Sequence, residues 1–190
     1  DIILPAGSYV FSSDVVVPQN AVLRLEPGVN IALAPGVSFI SYSPVEARGT
    51  EASPIKLRPA NAAVPLGSFG ILNNGAKKSV LEYVNIAGGS TDYINGVNLI
   101  GMVSIYYSDA DISHSTFSES QSDDGVNFKY ANMSVAYSLF KNNSADALDS
   151  DYNSGTVRDS VFTDNVNDGI DLSGSKVVIK NNRITGSGDK

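Results

Sequence analysis

Aspartate residues recur at a fixed interval in the second half of the chain. Asp124, Asp146 and Asp168 are equally spaced, and an Asn or Asp follows each of them three positions later. Carboxylates are ligands for hard cations such as Ca²⁺, which takes about six to eight oxygen atoms. Because the chain has no cysteine and one histidine, an ordinary zinc site is excluded. The pattern predicts Ca²⁺ binding with five candidate ligands: Asp124, Asp146, Asp149, Asp168 and Asp171.

An apolar pattern keeps nearly the same interval as the aspartates. Four segments that begin and end with an apolar residue follow one another in this register: Ile112–Phe117, Val135–Phe140, Val157–Phe162 and Ile179–Ile184. A unit of this length is too short for a strand, a helix and a return connection, and the signature of leucine-rich repeats is absent. Three short strands and three bends fit it. We therefore predict an all-β fold, a single-stranded right-handed parallel β-helix with about 22 residues per turn in its C-terminal half.

Stacking places matched residues of successive turns about 4.8 Å apart. Strand alternation then directs Val126, Leu148 and Ile170 inward and directs the column of Asn127, Asp149 and Asp171 outward. Two like charges at about 5 Å repel by roughly 3 kcal/mol at an effective dielectric constant near 20. A bound cation would offset this repulsion. For Asp124, Asp146 and Asp168 there is an alternative, in which each side chain forms an Asx-turn with its own backbone.

Lys129 and three tyrosines share the period of the acidic residues. Lys129 lies one strand step past Asn127, next to Asp151 in the following turn, and is the first candidate for a catalytic base. Neighbouring carboxylates would raise its pKa, which favours the alternative of a simple ion pair. The column of Tyr107, Tyr130 and Tyr152 predicts either a core ladder or a substrate-binding platform for sugars. His114 is expected at a corner or on the surface.

Composition limits the classes of partner. The net charge is −7, which argues against nucleic acid as a partner, and no apolar run is long enough for a membrane span. We predict a single domain over residues 1–190, with irregular first turns in 1–78, regular turns in 79–190, and segments 58–68 and 87–97 looped out. The final Gly186–Lys190 stretch lies where another turn would begin, so we expect the natural chain to continue. An open solenoid end also predicts end-to-end self-association.

Several segments resemble known β-helix proteins. The phrase LRLEPGVNIALAPGVSFI, followed by Gly-Thr and Pro-Ile at Gly49–Ile55, resembles the first turns of bacterial surface β-helix proteins. The stretches SIYYSDADISHSTFSES, SDDGVNFKYAN, SADALDSD and NDGIDLSGSKVVIKNN resemble the β-helix region found in bacteria beside spore-coat-type kinase domains. The resemblance implies the fold and a secreted or cell-surface setting, and it implies no activity.

Two enzyme families share parts of the acidic pattern. SDDGVNFK and NDGIDL resemble the Asp-Asp-Gly segments of Ca²⁺-dependent β-helix pectate lyases, and also the NTDG and DDC segments of polygalacturonase-type glycosidases. Three hypotheses follow. The first is a non-catalytic extracellular module that binds Ca²⁺, polysaccharide or both through the stacked aspartates. The alternatives are a Ca²⁺-dependent uronate lyase and a glycoside hydrolase with two carboxylates roughly 5 to 9.5 Å apart.

Overall fold

The computed structural model describes residues 1–73, 75 and 77–188. Regular structure in these residues consists of short β-strands and includes no helix. The described residues therefore contain no helix able to cross a membrane. Asp189 and Lys190, at the expected start of another turn, lie outside the described residues.

The strands of the first half are β1 (Ile2–Leu4), β2 (Gly7–Phe11), β3 (Val15–Val17), β4 (Leu23–Leu25), β5 (Val29–Leu33), β6 (Phe39–Ser41), β7 (Val45–Arg48), β8 (Ile55–Pro59), β9 (Phe69–Leu72), β10 (Ser79–Glu82), β11 (Val84–Ala87), β12 (Asp92–Ile94) and β13 (Val97–Leu99). Those of the second half are β14 (Gly101–Tyr106), β15 (Ala110–Ser113), β16 (Thr116–Ser118), β17 (Asp124–Lys129), β18 (Asn132–Ala136), β19 (Leu139–Lys141), β20 (Asp146–Asp151), β21 (Ser154–Arg158), β22 (Val161–Thr163), β23 (Ile170–Ser173), β24 (Lys176–Lys180) and β25 (Arg183–Thr185).

Three parallel sheets run along the molecule, and successive turns add one strand to each. Sheet 1 has the order β1-β4-β7-β10-β15-β18-β21-β24, sheet 2 the order β2-β5-β8-β11-β16-β19-β22-β25, and sheet 3 the order β3-β6-β9-β14-β17-β20-β23. The described chain is thus a parallel β-solenoid of about eight turns with about 23 residues per turn. This confirms the predicted fold class. In the C-terminal half, Ser134 pairs with Thr156 and Thr156 pairs with Val178, at the predicted interval.

The core lies between the three sheets and is built from the predicted ladders. Phe117, Phe140 and Phe162 pair in register, and their ring centroids are 5.1 and 4.7 Å apart. The inward ladder of Val126, Leu148 and Ile170 is also in register. Each ladder buries a continuous apolar row, which stabilises the solenoid although no single turn could bury its apolar face alone.

The bends between sheets repeat one backbone conformation. From β9 onward, the residue that directly follows each strand has a φ between 47° and 68°, in the left-handed region. The hairpin strands β12 and β13 are left out of this comparison. These corner residues are Tyr83, His114, Tyr137, Asp159 and Asn181 after sheet 1, Gly88, Glu119, Asn142, Asp164 and Gly186 after sheet 2, and Asn73, Tyr107, Tyr130, Tyr152 and Gly174 after sheet 3. Buried Ser and Asn side chains next to several corners accept hydrogen bonds from backbone N–H groups of neighbouring turns. The Ser138 hydroxyl, for example, accepts one from the Ser115 N–H. The polar groups at these bends are thereby satisfied.

Two turns are longer than the others, and one of them carries a hairpin. Glu46 pairs with Val80, and Val80 pairs with Asp111, so both of these turns contain more residues than the regular turns. Within the second of them, β12 and β13 pair antiparallel around Asn95-Gly96, both with positive φ as a tight two-residue turn requires. Part of the predicted loop 87–97 is therefore strand. The first turns are also more regular than predicted, because Ile2, Leu23 and Val45 pair at nearly the interval of the C-terminal turns.

The hairpin packs on the outer surface of sheet 3. A second apolar cluster of Ile40, Leu72, Leu99 and Tyr106 forms there, with Ile94 and Val97 of the hairpin packed against it. Ile100, directly after the hairpin, accepts the backbone N–H of Asp124. The outer surface of sheet 3 is consequently shielded from water at Ile40, Leu72 and Tyr106.

Candidate functional site

The acidic column lies along the outer surface of β17, β20 and β23 and the residues just before β23. It comprises Asp124, Asn127, Asp146, Asp149, Asp168 and Asp171. Asn127, Asp149 and Asp171 are in direct register, as predicted. Between Asp146 and Asp149, both Ala147 and Leu148 lie in the core. Two consecutive inward residues indicate a local bend, and this bend lets the residues on either side of the pair share the outer surface.

Three aspartates of adjacent turns form the open part of the column. Carboxylate oxygens of Asp146, Asp168 and Asp171 all lie within 4.8 Å of one another, and the three side chains are partly exposed. Such a group of oxygen atoms could hold a hard cation. We call Asp146, Asp168 and Asp171 the outer triad.

The Asx-turn alternative fails for Asp146. Its Oδ1 accepts hydrogen bonds from the Asn167 Nδ2 and the Asp168 backbone N–H of the next turn, at 2.6 and 2.8 Å, rather than from its own loop. These bonds tie adjacent turns together and orient one oxygen of Asp146.

The other part of the column is buried. Asp124, Asn127 and Asp149 are 3%, 0% and 8% exposed, although Asn127 and Asp149 lie on the outer side of the sheet as predicted. Asp124 Oδ2, Asn127 Oδ1 and Asp149 Oδ1 have no hydrogen-bond partner among the described residues. An unpaired buried polar group costs about 1–3 kcal/mol, and a proton, a hydrogen-bond donor or a cation at these oxygen atoms would reduce that cost.

Burial and like charge perturb two of these carboxyls. Burial, with Asp149, Asp146 and Asp123 adding repulsion, raises the pKa of Asp124 to about 8. Burial, with repulsion from Asp151 and Asp171, raises the pKa of Asp149 to about 7. In the absence of a cation, both groups therefore hold protons over much of the range in which ordinary carboxyls are ionised.

Lys129 lies beside the acidic column in the predicted ion pair. Its Nζ is 3.2 Å from Asp151 Oδ2 and 5.4 Å from the ring centroid of Tyr106. Burial acts to lower the pKa of Lys129, but the hydrogen bond to Asp151 and the nearby Tyr106, Asp151 and Asp149 outweigh it, so the pKa is raised. A protonated amine cannot accept a proton, and this arrangement does not favour Lys129 as a catalytic base.

The predicted tyrosine column is an exposed ladder at the corner that follows sheet 3. The rings of Tyr107 and Tyr130 stack at 4.8 Å, and those of Tyr130 and Tyr152 at 5.2 Å. All three side chains are at least half exposed, so the core-ladder alternative is wrong. The left-handed corner directs these rings away from the interior. Both faces of Tyr130 are covered by its neighbours, so a ligand meets ring edges and hydroxyl groups.

A shallow groove of about 440 Å³ runs beside this ladder. Tyr130 and Tyr152 form one side, and Asp109, Asn132 and Lys176 contribute polar groups. At the end of the ladder, the corner residue is Gly174, and a Cβ at that position would lie 2.8 Å from the Tyr152 ring. A larger corner residue there would need the ring to shift, so glycine keeps this part of the groove open.

A second aromatic ladder was not predicted. His114 stacks between Tyr83 and Tyr137, with ring centroids 4.8 and 5.1 Å apart, and the Arg158 guanidinium lies 4.7 Å from the Tyr137 ring centroid. His114 is exposed at a corner, as expected. His114 and Tyr137 have the same spacing in the sequence as Tyr107 and Tyr130, and this shared interval is the signal that could have revealed the ladder.

Comparisons with known proteins are sparse. No family model matches the chain, and no curated protein matches it. One similar solved structure is an alginate lyase from Paenibacillus sp. str. FPU-7, which is 19% identical over 82% of this chain and 69% of that chain, with a TM-score of 0.30. A likeness at this level says nothing about activity, and the relation to spore-coat-associated β-helices stays an interpretation of the sequence.

Proposed function

We propose that the chain is a secreted or cell-surface β-solenoid module without catalytic activity, which binds Ca²⁺ through the acidic column and polysaccharide through the tyrosine ladder. The observation that carries the cation function is the outer triad, whose oxygen atoms lie within 4.8 Å of one another. Three carboxylates at this separation repel, and a divalent cation converts the repulsion into attraction.

Polysaccharide binding is supported by the position of the ladder and groove. Tyr130 and Tyr152 directly follow Lys129 and Asp151, so the ladder begins where the strands of the acidic column end. The groove joins phenol hydroxyls to Asn132 and Lys176, which supply donors for sugar hydroxyl or carboxylate groups. A chain-like ligand could extend along successive turns of the solenoid.

The absence of catalysis is supported by the state of Lys129. A uronate lyase requires a base that removes a proton beside the sugar carboxylate. Lys129 is paired with Asp151 and its pKa is raised. Incubation with alginate and pectate separates the hypotheses, because a lyase forms an unsaturated product that absorbs in the ultraviolet and a hydrolase forms reducing ends alone. We expect neither product.

The cation function is tested by thermal unfolding in Ca²⁺-free buffer and at increasing Ca²⁺. A ligand at about one hundred times its Kd stabilises the native state by about 2.7 kcal/mol, so we expect a clear rise in Tm. The double variant Asp168→Asn and Asp171→Asn should reduce the rise. Asp164→Asn, at an exposed corner outside the column, is the matched control and should retain it. A wild-type Tm that does not respond to millimolar Ca²⁺ would refute the proposal.

The ligand function is tested by affinity electrophoresis in gels that contain alginate, pectate or neutral dextran. We expect alginate or pectate to retard the protein. Replacing Tyr130 and Tyr152 by alanine should abolish the retardation, whereas Tyr137→Ala, in the second aromatic ladder, should leave it unchanged. Equal mobility of wild type and the ladder variant in every gel contradicts a role of this ladder.

A further inference from the structure

We propose that the acidic column holds two divalent cations, the second of them in a buried position formed by Asp124, Asn127 and Asp149. This inference rests on the proposed cation function and adds a separate site to it. The outer triad has its own carboxylates, and the buried position is one turn away, because Asn127, Asp149 and Asp171 follow one another in register.

The first reason is the set of unpartnered oxygen atoms. Asp124 Oδ2, Asn127 Oδ1 and Asp149 Oδ1 belong to side chains that are more than nine-tenths buried, and none of the three atoms has a hydrogen-bond partner among the described residues. Each of these atoms can only accept hydrogen bonds or bind a cation, if the two carboxyls are ionised. In that ionised state the three oxygen atoms are complementary to a metal ion.

The second reason is the orientation of Asn127. Its Nδ2 donates to Asp149 Oδ2 at 2.6 Å, and a carboxylate requires this nitrogen rather than the amide oxygen at that position. Asn127 Oδ1 is thereby directed away from Asp149 Oδ2. The hydroxyl of Ser104, which pairs with Asn127 in the adjacent strand, donates to the Gly101 carbonyl instead.

The third reason is charge. Asp146, Asp151 and Asp171 surround the buried position, and the nearby cation Lys129 is paired with Asp151. A water molecule would leave the repulsion between the ionised carboxylates of Asp124 and Asp149 in place. One divalent cation balances these two carboxylates. Because Mg²⁺ usually retains several waters whereas Ca²⁺ accepts more protein oxygen atoms, the burial of these three oxygen atoms favours Ca²⁺.

The test is the Ca²⁺ stoichiometry of the whole chain by equilibrium dialysis. We expect two Ca²⁺ per wild-type chain, and one in Asn127→Leu, which keeps the side-chain size and removes the amide. Asp124→Asn, whose amide adds a donor to the pocket, is a second variant and should also bind one. The double variant Asp168→Asn and Asp171→Asn should retain the buried ion alone, and Asp164→Asn should bind two. Circular dichroism establishes which variants are folded before they are compared.

Tb³⁺ luminescence distinguishes the two sites without a measurement of how many ions are bound. The decay rates in H₂O and D₂O report the waters bound to the ion, and we expect fewer waters in the outer-triad variant than in Asn127→Leu. A single site in the wild type, or two sites retained in both folded buried-position variants, overturns this inference and leaves the cation function intact. A wild type that binds no Ca²⁺ refutes the proposed function itself.

Discussion

The buried carboxyls predict that the cation-free protein loses stability as pH rises. Asp124 and Asp149 retain their protons in the native state up to pH values at which unfolded aspartates are ionised. The native state therefore binds more protons than the unfolded state, and the free energy of unfolding falls as pH increases. The loss begins above the unfolded pKa of 3.8 and ends near the folded values of about 7 and about 8.

The expected magnitude follows from the size of the shifts. One pKa unit corresponds to about 1.4 kcal/mol, so raising the pKa of Asp124 from 3.8 to about 8 represents on the order of 6 kcal/mol. Because Asp124 and Asp149 repel each other, protonation of one carboxyl removes the repulsion for both. The stability lost by the pair is therefore closer to the value for Asp124 alone than to the sum of two separate values. Glu46 and Asp159 have lowered pKa values, so they make the native state more stable as pH rises. This gain is complete at a lower pH than the loss from the buried carboxyls.

The assay is urea unfolding in Ca²⁺-free buffer at about pH 5 and about pH 8, with the free energy obtained by linear extrapolation. The wild type should be less stable at the higher pH by on the order of 4 kcal/mol. Asp124→Asn should remove much of this dependence, because the amide has no proton to lose. Asp164→Asn should retain the dependence of the wild type.

Calcium should reduce the pH dependence of stability, since a cation stabilises the ionised carboxylates. At saturating Ca²⁺ the difference between the two pH values is expected to shrink, because binding to the native state adds stability mainly at the higher pH. A cation-free wild type whose stability is constant or rises between about pH 5 and about pH 8 would refute the argument, since no buried carboxyl would then be holding its proton.

Two further predictions concern the frame of the solenoid. Phe140→Ala should cost about 3–5 kcal/mol in urea unfolding, because Phe140 is fully buried between two rings. Ile184→Ala, at the 40% exposed end of the same ladder, should cost much less, and equal costs would contradict the stacking order. The edge at β23 to β25 exposes Leu172, Val178 and Ile179, so end-to-end association should appear as a rising sedimentation coefficient with concentration. A constant monomer value would exclude it.

The sequence predicted the register because each inward ladder repeats its chemistry. Phe117, Phe140 and Phe162 have nearly one interval and one residue type, and a slip by one residue would expose all of them. The same interval placed Asp149 beside Asn127 and Lys129 beside Asp151. Residues that repeat once per turn can therefore be placed from the sequence, both in the core and in the candidate site.

The parts of the chain that do not repeat could not be predicted from the period. The hairpin of β12 and β13 occurs once in the described chain, and no periodic signal indicates that Leu99 and Tyr106 shield the outer surface of sheet 3. Alternation correctly placed Asn127 on that surface but gave no sign that it is inaccessible to solvent. The corner conformation was also missed, and it is what turns Tyr107, Tyr130 and Tyr152 from a core ladder into an exposed one.

The long turn that carries the hairpin shows how the solenoid accommodates an insertion. The hairpin lies between β11 and β14, and each of these strands pairs in register with both neighbouring turns. The additional residues are therefore placed outside the repeating frame. A change of length in this connection could alter the surface beside Asp124, whose backbone N–H bonds to Ile100 directly after the hairpin, and leave every ladder residue in place.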